Sequence, residues 1–124
     1  MSKEHMKIIK LKRVYDEPEM DDGKRFLVER LWPRGIKRES IKIDGWLKEI
    51  APSTELRRWF NHEPQKWEEF KRKYTAEIEE KKTYLYPILE AINDGNVTLL
   101  YSARDREHNG AVVLAEYIQK NSST

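Results

Sequence analysis

The sequence predicts a single α/β domain with a mostly parallel sheet and helices packed on both of its faces. Residues 97–102 form a near-continuous apolar run, which is typical of a strand covered on both sides. Helical patterns precede and follow this run, and no hairpin signal joins it to another strand. The 124 residues suffice for one ordinary core. We expect order over about 6–119, with tails at 1–5 and 120–124.

The N-terminal part of the chain predicts two strands. Residues 6–15 alternate between apolar and polar side chains, and residues 25–30 follow a loop at 16–23 that contains a proline and an Asp-Asp-Gly turn. The two strands either pair as an antiparallel hairpin or stand apart in one sheet. A stiff turn at 31–35 follows, since a proline there cannot donate a ladder hydrogen bond.

Helical patterns fill the middle of the chain. Residues 43–50 fit either a short strand or a helical turn. Ser53 or Thr54 then caps a short helix, and apolar residues at intervals of three and four predict a longer one over 67–82. We expect a further helix from residue 83 to the Asp-Gly-Asn stop at 94–96, and a closing helix over 109–119.

Charge is balanced overall but uneven along the chain. The formal net charge is +2, which gives no general attraction to nucleic acid or acidic membranes. Residues 24–42 nevertheless carry a net charge of +5, and residues 16–22 directly before them carry −5. The basic segment, with Trp32 available to stack on a base, keeps nucleic-acid binding open.

Several classes of protein are excluded or disfavoured. The chain has no cysteine, which excludes disulfides, thiolate nucleophiles and Cys-ligated metal centres. The three histidines lack ligand spacing, and the five glycines are not grouped into a phosphate or dinucleotide loop. We therefore predict neither a metal nor a cofactor. Without a signal-like segment or an apolar run of ~20 residues, the protein is expected to be cytoplasmic and not membrane-bound.

The loop after the 97–102 strand is the first candidate site, because ligands of parallel sheets bind beyond the carboxyl ends of the strands. Arg104 suits an anion, while Asp105 and His108 are candidates for proton transfer. Asn109 is a candidate ligand contact at the helix N-terminus. A structural explanation competes with this hypothesis, since Asp105 or Asn109 would also cap the closing helix.

The turn at 31–35 is the second candidate. Arg30 and Arg34 flank it and could grip a phosphate in bidentate fashion. The alternative is that Trp32 is a core anchor and that Arg30 pairs with Glu29 or another carboxylate. If both candidate loops lie at one edge of the sheet, Arg30, Arg34 and Arg104 surround a single anion.

Four blocks of sequence resemble those of a known family over about 8–118. They are Phe-Leu-Val-Glu-Arg-Leu-Trp-Pro-Arg-Gly at 26–35, Trp-Leu-Lys at 46–48 with Ala-Pro-Ser at 51–53, Trp-Phe-Asn-His-Glu-Pro at 59–64 with Trp67, and Leu-Leu-Tyr at 99–101 continuing through Ala-Arg-Asp to His-Asn at 108–109. The chain resembles the YeaO-like family, a group within domain-of-unknown-function family 488. Mild departures are Glu29 and Glu63 in place of aspartate, and Gly110 in place of a bulkier residue. The resemblance implies a mostly parallel sheet sandwiched by helices and implies no established reaction.

Three classes of function follow. The leading hypothesis is a small cytoplasmic enzyme or ligand-binding protein for an anionic, phosphate-bearing molecule, with its site at the carboxyl ends of the strands. The alternatives are nucleic-acid binding through the basic 24–42 segment and a non-catalytic interaction protein that uses exposed aromatic residues.

Overall fold

The sheet formed by residues 8–121 has four strands, all of them parallel to their neighbours. The computed structural model describes residues 8–121. The strands are β1 (Ile9–Arg13), β2 (Lys24–Leu27), β3 (Gly45–Trp46) and β4 (Val97–Tyr101), in the order β1-β4-β2-β3. This arrangement confirms the predicted α/β fold and parallel sheet. All four strands therefore end at the same edge of the sheet.

Strand β4 lies in the middle of the sheet because it is apolar on both faces. Its five residues are buried, and it pairs with β1 on one side and β2 on the other. Leu99, for example, lies opposite Leu11 of β1 and Phe26 of β2. Since β4 separates β1 from β2, these two strands do not form a hairpin. The alternative of separate strands in one sheet is the one observed.

The ambiguous segment 43–50 contains both of the structures that its sequence allowed. The two residues of β3 pair with Phe26 and Leu27 of β2. A 3₁₀ turn, Lys48–Ile50, follows directly and buries Ile50. The Ala51 amide closes this turn by donating to the carbonyl of Lys48 at 3.3 Å.

Four α-helices complete the described part of the chain: α1 (Thr54–Phe60), α2 (Trp67–Glu80), α3 (Tyr86–Asp94) and α4 (Gly110–Asn121). Ser53 caps α1 as predicted, since its Oγ accepts a hydrogen bond from the amide of Leu56 at 3.1 Å. α3 begins at Tyr86 rather than at residue 83, because a 3₁₀ turn, Lys82–Leu85, occupies the start of the predicted helix.

The C-terminal helix is longer than predicted. Lys120 and Asn121, which were expected in a tail, belong to α4. The Asn121 side chain donates a hydrogen bond to the carbonyl of Tyr117 at 2.8 Å and so supports the last turn of the helix. The remaining predicted tail residues, 1–5 and 122–124, lie outside the described residues. Within residues 8–121, no helix has the length and apolar character needed to cross a membrane.

One face of the sheet packs against the α-helices. Val97, Leu99 and Tyr101 of β4 share an apolar cluster with side chains of all four helices. The opposite face differs from the prediction, because loops with short 3₁₀ turns cover it and no α-helix does so within residues 8–121. There Leu27 and Leu100 contact the segment between β2 and β3, where Pro33 and Gly35 disfavour a continuous helix.

An ionic network covers the rest of that second face. Asp22, whose side chain is 2% exposed, accepts hydrogen bonds from Lys10, Lys12 and Arg25. Burial acts to raise the pKa of Asp22, but these bonds and the Glu19 amide hold it well below its ordinary value. The acidic segment 16–22 thus neutralises lysines of β1 and an arginine of β2. The network also occupies the carboxylates that would otherwise attract a cation.

Candidate functional site

A pocket of about 860 Å³ opens at the carboxyl edge of the sheet. Most of its lining comes from three segments: residues 28–34 after β2, residues 102–105 and 108–110 after β4, and residues 57, 58 and 60–62 at the end of α1. Pro52 and Phe70 complete it. The sheet order explains the meeting of the first two, since β2 and β4 are neighbours. The two loops selected from the sequence therefore lie at one pocket. The volume lies within the range of small-molecule sites, about 300–1,000 Å³.

Five arginines line this pocket. Three were expected from the sequence, whereas the two from α1 were not. The five are Arg30, Arg34, Arg57, Arg58 and Arg104. The pocket's two carboxylates belong to Glu29 and Asp105, so the lining is basic even though the whole chain is nearly neutral. Such a surface attracts anions.

The arginines differ in what their guanidinium groups already contact. Arg30 donates from Nη2 to the carbonyl of Ala51 at 3.0 Å and from Nε to the carbonyl of Pro52 at 3.1 Å. It therefore braces the chain before α1 rather than pairing with Glu29. The guanidinium groups of the other four arginines form no hydrogen bond or salt bridge within residues 8–121. Their donors are available to a ligand.

Glu29 is the half-buried carboxylate of the pocket. Ser102 holds it, with the Ser102 amide 3.1 Å from Oε2 and its hydroxyl 3.3 Å from Oε1. Burial raises the pKa of Glu29, although the bonds from Ser102 and the charge of Arg57 act in the opposite direction. In the sequence, Glu29 is a possible partner for Arg30 and a departure from the family's aspartate, and it was not selected as a site residue. Its bond to Ser102, which lies 73 positions away, is not visible in the sequence.

The loop before α4 is ordered by its own polar side chains. Asp105 Oδ1 accepts from the amides of Glu107 and His108, and Oδ2 lies 2.9 Å from His108 Nδ1. The Glu107 amide, with His108, lowers the pKa of Asp105. The His108 ring lies edge-on to Trp67 at 5.0 Å between ring centroids. Asp105 and His108, the predicted acid–base groups, thus form a carboxylate–imidazole pair at the pocket.

Asn109 caps α4. Its Oδ1 accepts from the amide of Val112 at 3.2 Å and its Nδ2 donates to the carbonyl of Asp105 at 2.9 Å. The residue is 5% exposed. The structural explanation offered for Asn109 therefore matches its contacts, and burial leaves its side chain little access to a ligand.

One ion pair and one arginine bonded to two carbonyls fix the same loop to β1 and to the turn after it. Arg106 makes a bidentate pair with Asp16 at 2.9 and 3.0 Å, and this pairing lowers the pKa of Asp16 to about 2. Arg13, the last residue of β1, donates to the carbonyls of Ser102 and Ala103. The backbone that carries Arg104 is thereby held in place before any ligand arrives.

His62, whose place between two helical segments in the sequence is typical of a turn residue, also lines the pocket. Asn61 and His62 both adopt left-handed backbone conformations, with φ of 50° and 56°. A left-handed residue after a helix is common, but two consecutive ones without glycine are strained. The strained turn places the exposed His62 on the pocket wall next to Arg57 and Arg58.

Trp32 is packed rather than open. Its indole Nε1 donates to the carbonyl of Ile36 at 2.6 Å, and its ring meets Trp46 edge-on at 5.2 Å between centroids. The Arg38 guanidinium lies 4.7 Å from the centre of the same ring. Since Arg25 is also buried against Asp22, the basic 24–42 segment does not present its charges as one surface.

Comparison with known proteins identifies the family. A sequence profile described as the inactive DUF488-N3 subclade, DUF488-N3i, matches residues 8–124. The chain belongs to the DUF488-N3i family. This result confirms the resemblance to YeaO-like proteins of family 488.

The DUF488-N3i chain is similar to relatives over nearly their whole length. It is 43% identical to the "Uncharacterized protein YeaO" of Escherichia coli over 111 residues, which are 90% of this chain and 96% of that protein. It is 34% identical to Rv3073c of Mycobacterium tuberculosis and to Mb3100c of Mycobacterium bovis over 110 residues, which are 89% of this chain and 92% of each relative. No solved structure matches the DUF488-N3i chain.

Proposed function

We propose that this protein binds a phosphate-bearing anionic ligand in the pocket at the carboxyl edge of its sheet. The supporting observation is the set of four guanidinium groups that line one pocket without a hydrogen-bonded partner in residues 8–121. These four guanidinium groups converge on one cavity without a carboxylate partner in residues 8–121, so their donors are available to an external anion. Arg34 and Arg104 are the primary contacts, Arg57 and Arg58 add to them, and Arg30 supports the fold beside them.

Binding rather than catalysis is the role that we favour. The family description names an inactive subclade, which agrees with a protein that has kept a ligand pocket without turnover. Asp105 and His108 stay the candidate acid–base groups should a reaction be found, because they form the titratable pair at the pocket. Asn109 contributes through its cap, which orients the first amides of α4. The predicted cytoplasmic location suits such a role and stays a prediction.

Calorimetric titration with inorganic phosphate and pyrophosphate at low ionic strength tests the proposal. Arg104→Ala and Arg34→Ala should each weaken binding by about 10-fold or more, the worth of a charge-assisted hydrogen bond. Arg72→Ala is the matched control, because this substitution removes the same charge from the exposed surface of α2. If Arg72→Ala weakens phosphate binding as much as Arg104→Ala does, the effect is one of general charge, and the proposal is contradicted.

Nucleic-acid binding has less support. The stacking residue Trp32 is packed against Trp46 and Arg38, and Arg25 is paired with Asp22. A salt titration with single-stranded RNA and DNA addresses this alternative, because phosphate-backbone contacts give an affinity that falls steeply with salt. An interaction protein is the third class. Tyr15, Tyr84 and Tyr86 are exposed aromatic residues available for it.

A further inference from the structure

Glu29 is unlike the other charged groups of the pocket. It is half-buried, whereas Arg34, Arg58 and Arg104 are exposed, so the carboxylate lies deeper than these arginines. Within residues 8–121 it forms no salt bridge, although arginines share its pocket. A carboxylate at this depth repels phosphate. The phosphate must therefore sit nearer the rim, with another part of the ligand facing Glu29.

Glu29 is held both at its backbone and at its carboxylate. The Trp46 indole donates to the Glu29 carbonyl at 2.7 Å, and Ser102 provides one donor to each carboxylate oxygen. Each oxygen of an ionised carboxylate can accept a second hydrogen bond. The group is thus a preorganised acceptor that has spare capacity and faces the pocket.

The donor that Glu29 accepts from must be uncharged. A cationic group would meet the repulsion of the five pocket arginines. Hydroxyl groups meet the requirement, and a carboxylate is the group that proteins use to accept hydrogen bonds from sugar hydroxyls beside a bound phosphate. We infer that the ligand is a phosphate monoester carrying hydroxyl groups, with its phosphate on Arg34 and Arg104 and its hydroxyls on Glu29.

This inference rests on the proposed function and narrows its ligand class. Sugar phosphates and nucleoside monophosphates both have this chemistry, and a pocket of about 860 Å³ has room for either. Apolar side chains of Phe60 and Pro52 on the lining offer contact to carbon atoms of the ligand. Comparing the binding of ribose 5-phosphate with that of AMP distinguishes a sugar phosphate from a nucleoside monophosphate as the ligand.

The test compares three probes by calorimetry: methyl phosphate, which lacks hydroxyls, ribose 5-phosphate and AMP. The wild-type protein should bind ribose 5-phosphate, AMP or both at least about 10-fold more tightly than methyl phosphate. Glu29→Gln should remove most of that preference while leaving methyl phosphate bound equally or more tightly, since it removes a repelling charge. Glu116→Gln, an exposed carboxylate of α4, is the matched control and should change neither.

Ser102→Ala is a second variant that disturbs Glu29 without changing charge. It removes the hydroxyl bond to Oε1 and should lower the preference for the hydroxyl-bearing probes in the same direction. It keeps the inference testable if Glu29→Gln lowers stability.

The outcomes separate the two proposals. If methyl phosphate binds, loses affinity in Arg104→Ala and is bound as tightly as both hydroxyl-bearing probes, the proposed function stands and the role of Glu29 is refuted. An equal loss for all probes in Glu29→Gln likewise refutes it. If no probe binds the wild-type protein, both proposals fail. A preference for AMP alone identifies a nucleoside, and equal binding of AMP and ribose 5-phosphate identifies the sugar phosphate as sufficient.

Discussion

At the scale of single residues, the contacts already made by each arginine decide what it can do. Arg30 is committed to two backbone carbonyls, whereas Arg104 has no hydrogen-bonded partner in residues 8–121. Both are arginines in conspicuous loops of the sequence, and only the fold separates their roles. An arginine whose guanidinium already donates to backbone carbonyls has a structural role. An arginine whose guanidinium lines a pocket without such bonds is a candidate to bind an anion.

Replacing these two arginines should affect stability differently. Arg30→Ala leaves the Pro52 carbonyl without its donor, while the Ala51 carbonyl keeps a bond from Lys81 at 2.8 Å. We expect a loss of about 1–3 kcal/mol in the free energy of unfolding. Arg104→Ala should stay within about 0.5 kcal/mol of the wild type. Urea unfolding measures both, and an equal loss in the two variants would contradict the distinction.

The sequence identified local features of the site and missed distant ones. Arg34, Arg104 and the Asp105–His108 pair could be selected because each lies in a loop directly after a strand. Arg57 was missed, because an arginine beside Arg58 and near Glu55 on a short helix is typical of a solvated face. Its place in the pocket depends on how α1 packs across β2, which no local pattern encodes.

At the scale of elements, the strand and helix patterns were predictable and their pairing was not. The apolar run of β4 predicts a central strand whichever strands it pairs with. Ser53 predicts the start of a helix because its cap bond joins residues only three positions apart. The insertion of β4 between β1 and β2 requires contacts over more than 70 positions. The second face was misjudged because charged side chains of Lys10 and Lys12 are buried there through ion pairs rather than by helices.

The entry into β2 depends on a glycine. Gly23 has φ of +66°, and a Cβ placed there would lie 1.9 Å from the carbonyl oxygen of Asn96. Gly35 has a similar φ of +78° but open space around it. Gly23→Ala should therefore lose about 2–4 kcal/mol of stability, since backbone must move, and Gly35→Ala about 1 kcal/mol from the left-handed conformation alone. Thermal unfolding of both variants checks this, and equal losses would show that the contact with Asn96 relaxes without cost.

At the scale of the whole molecule, charge is segregated despite a net value of only +2. The acidic segment 16–22 closes onto lysines of β1, whereas the pocket arginines at the carboxyl edge of the sheet form no salt bridge within residues 8–121. The two halves are joined by the pair between Asp16 and Arg106, which ties the acidic segment to the pocket loop. Loss of that pair should therefore lower the stability of the protein and also the order of the loop before α4.

Acid should reveal this pair. The bidentate bond from Arg106 lowers the pKa of Asp16 from 3.8 to about 2, so folding is favoured by the ionised carboxylate. For a depressed pKa, the contribution is complete above the unfolded value near 4 and disappears as the pH falls towards 2. Asp16→Asn should thus be less stable than the wild type at pH 6, with the gap narrowing by pH 2.5. Urea midpoints across this range measure the gap in stability.

The control for this prediction is Asp94→Asn, which replaces an exposed carboxylate at the end of α3. If the gap in stability between Asp16→Asn and the wild type stays constant with pH, the ion pair does not contribute.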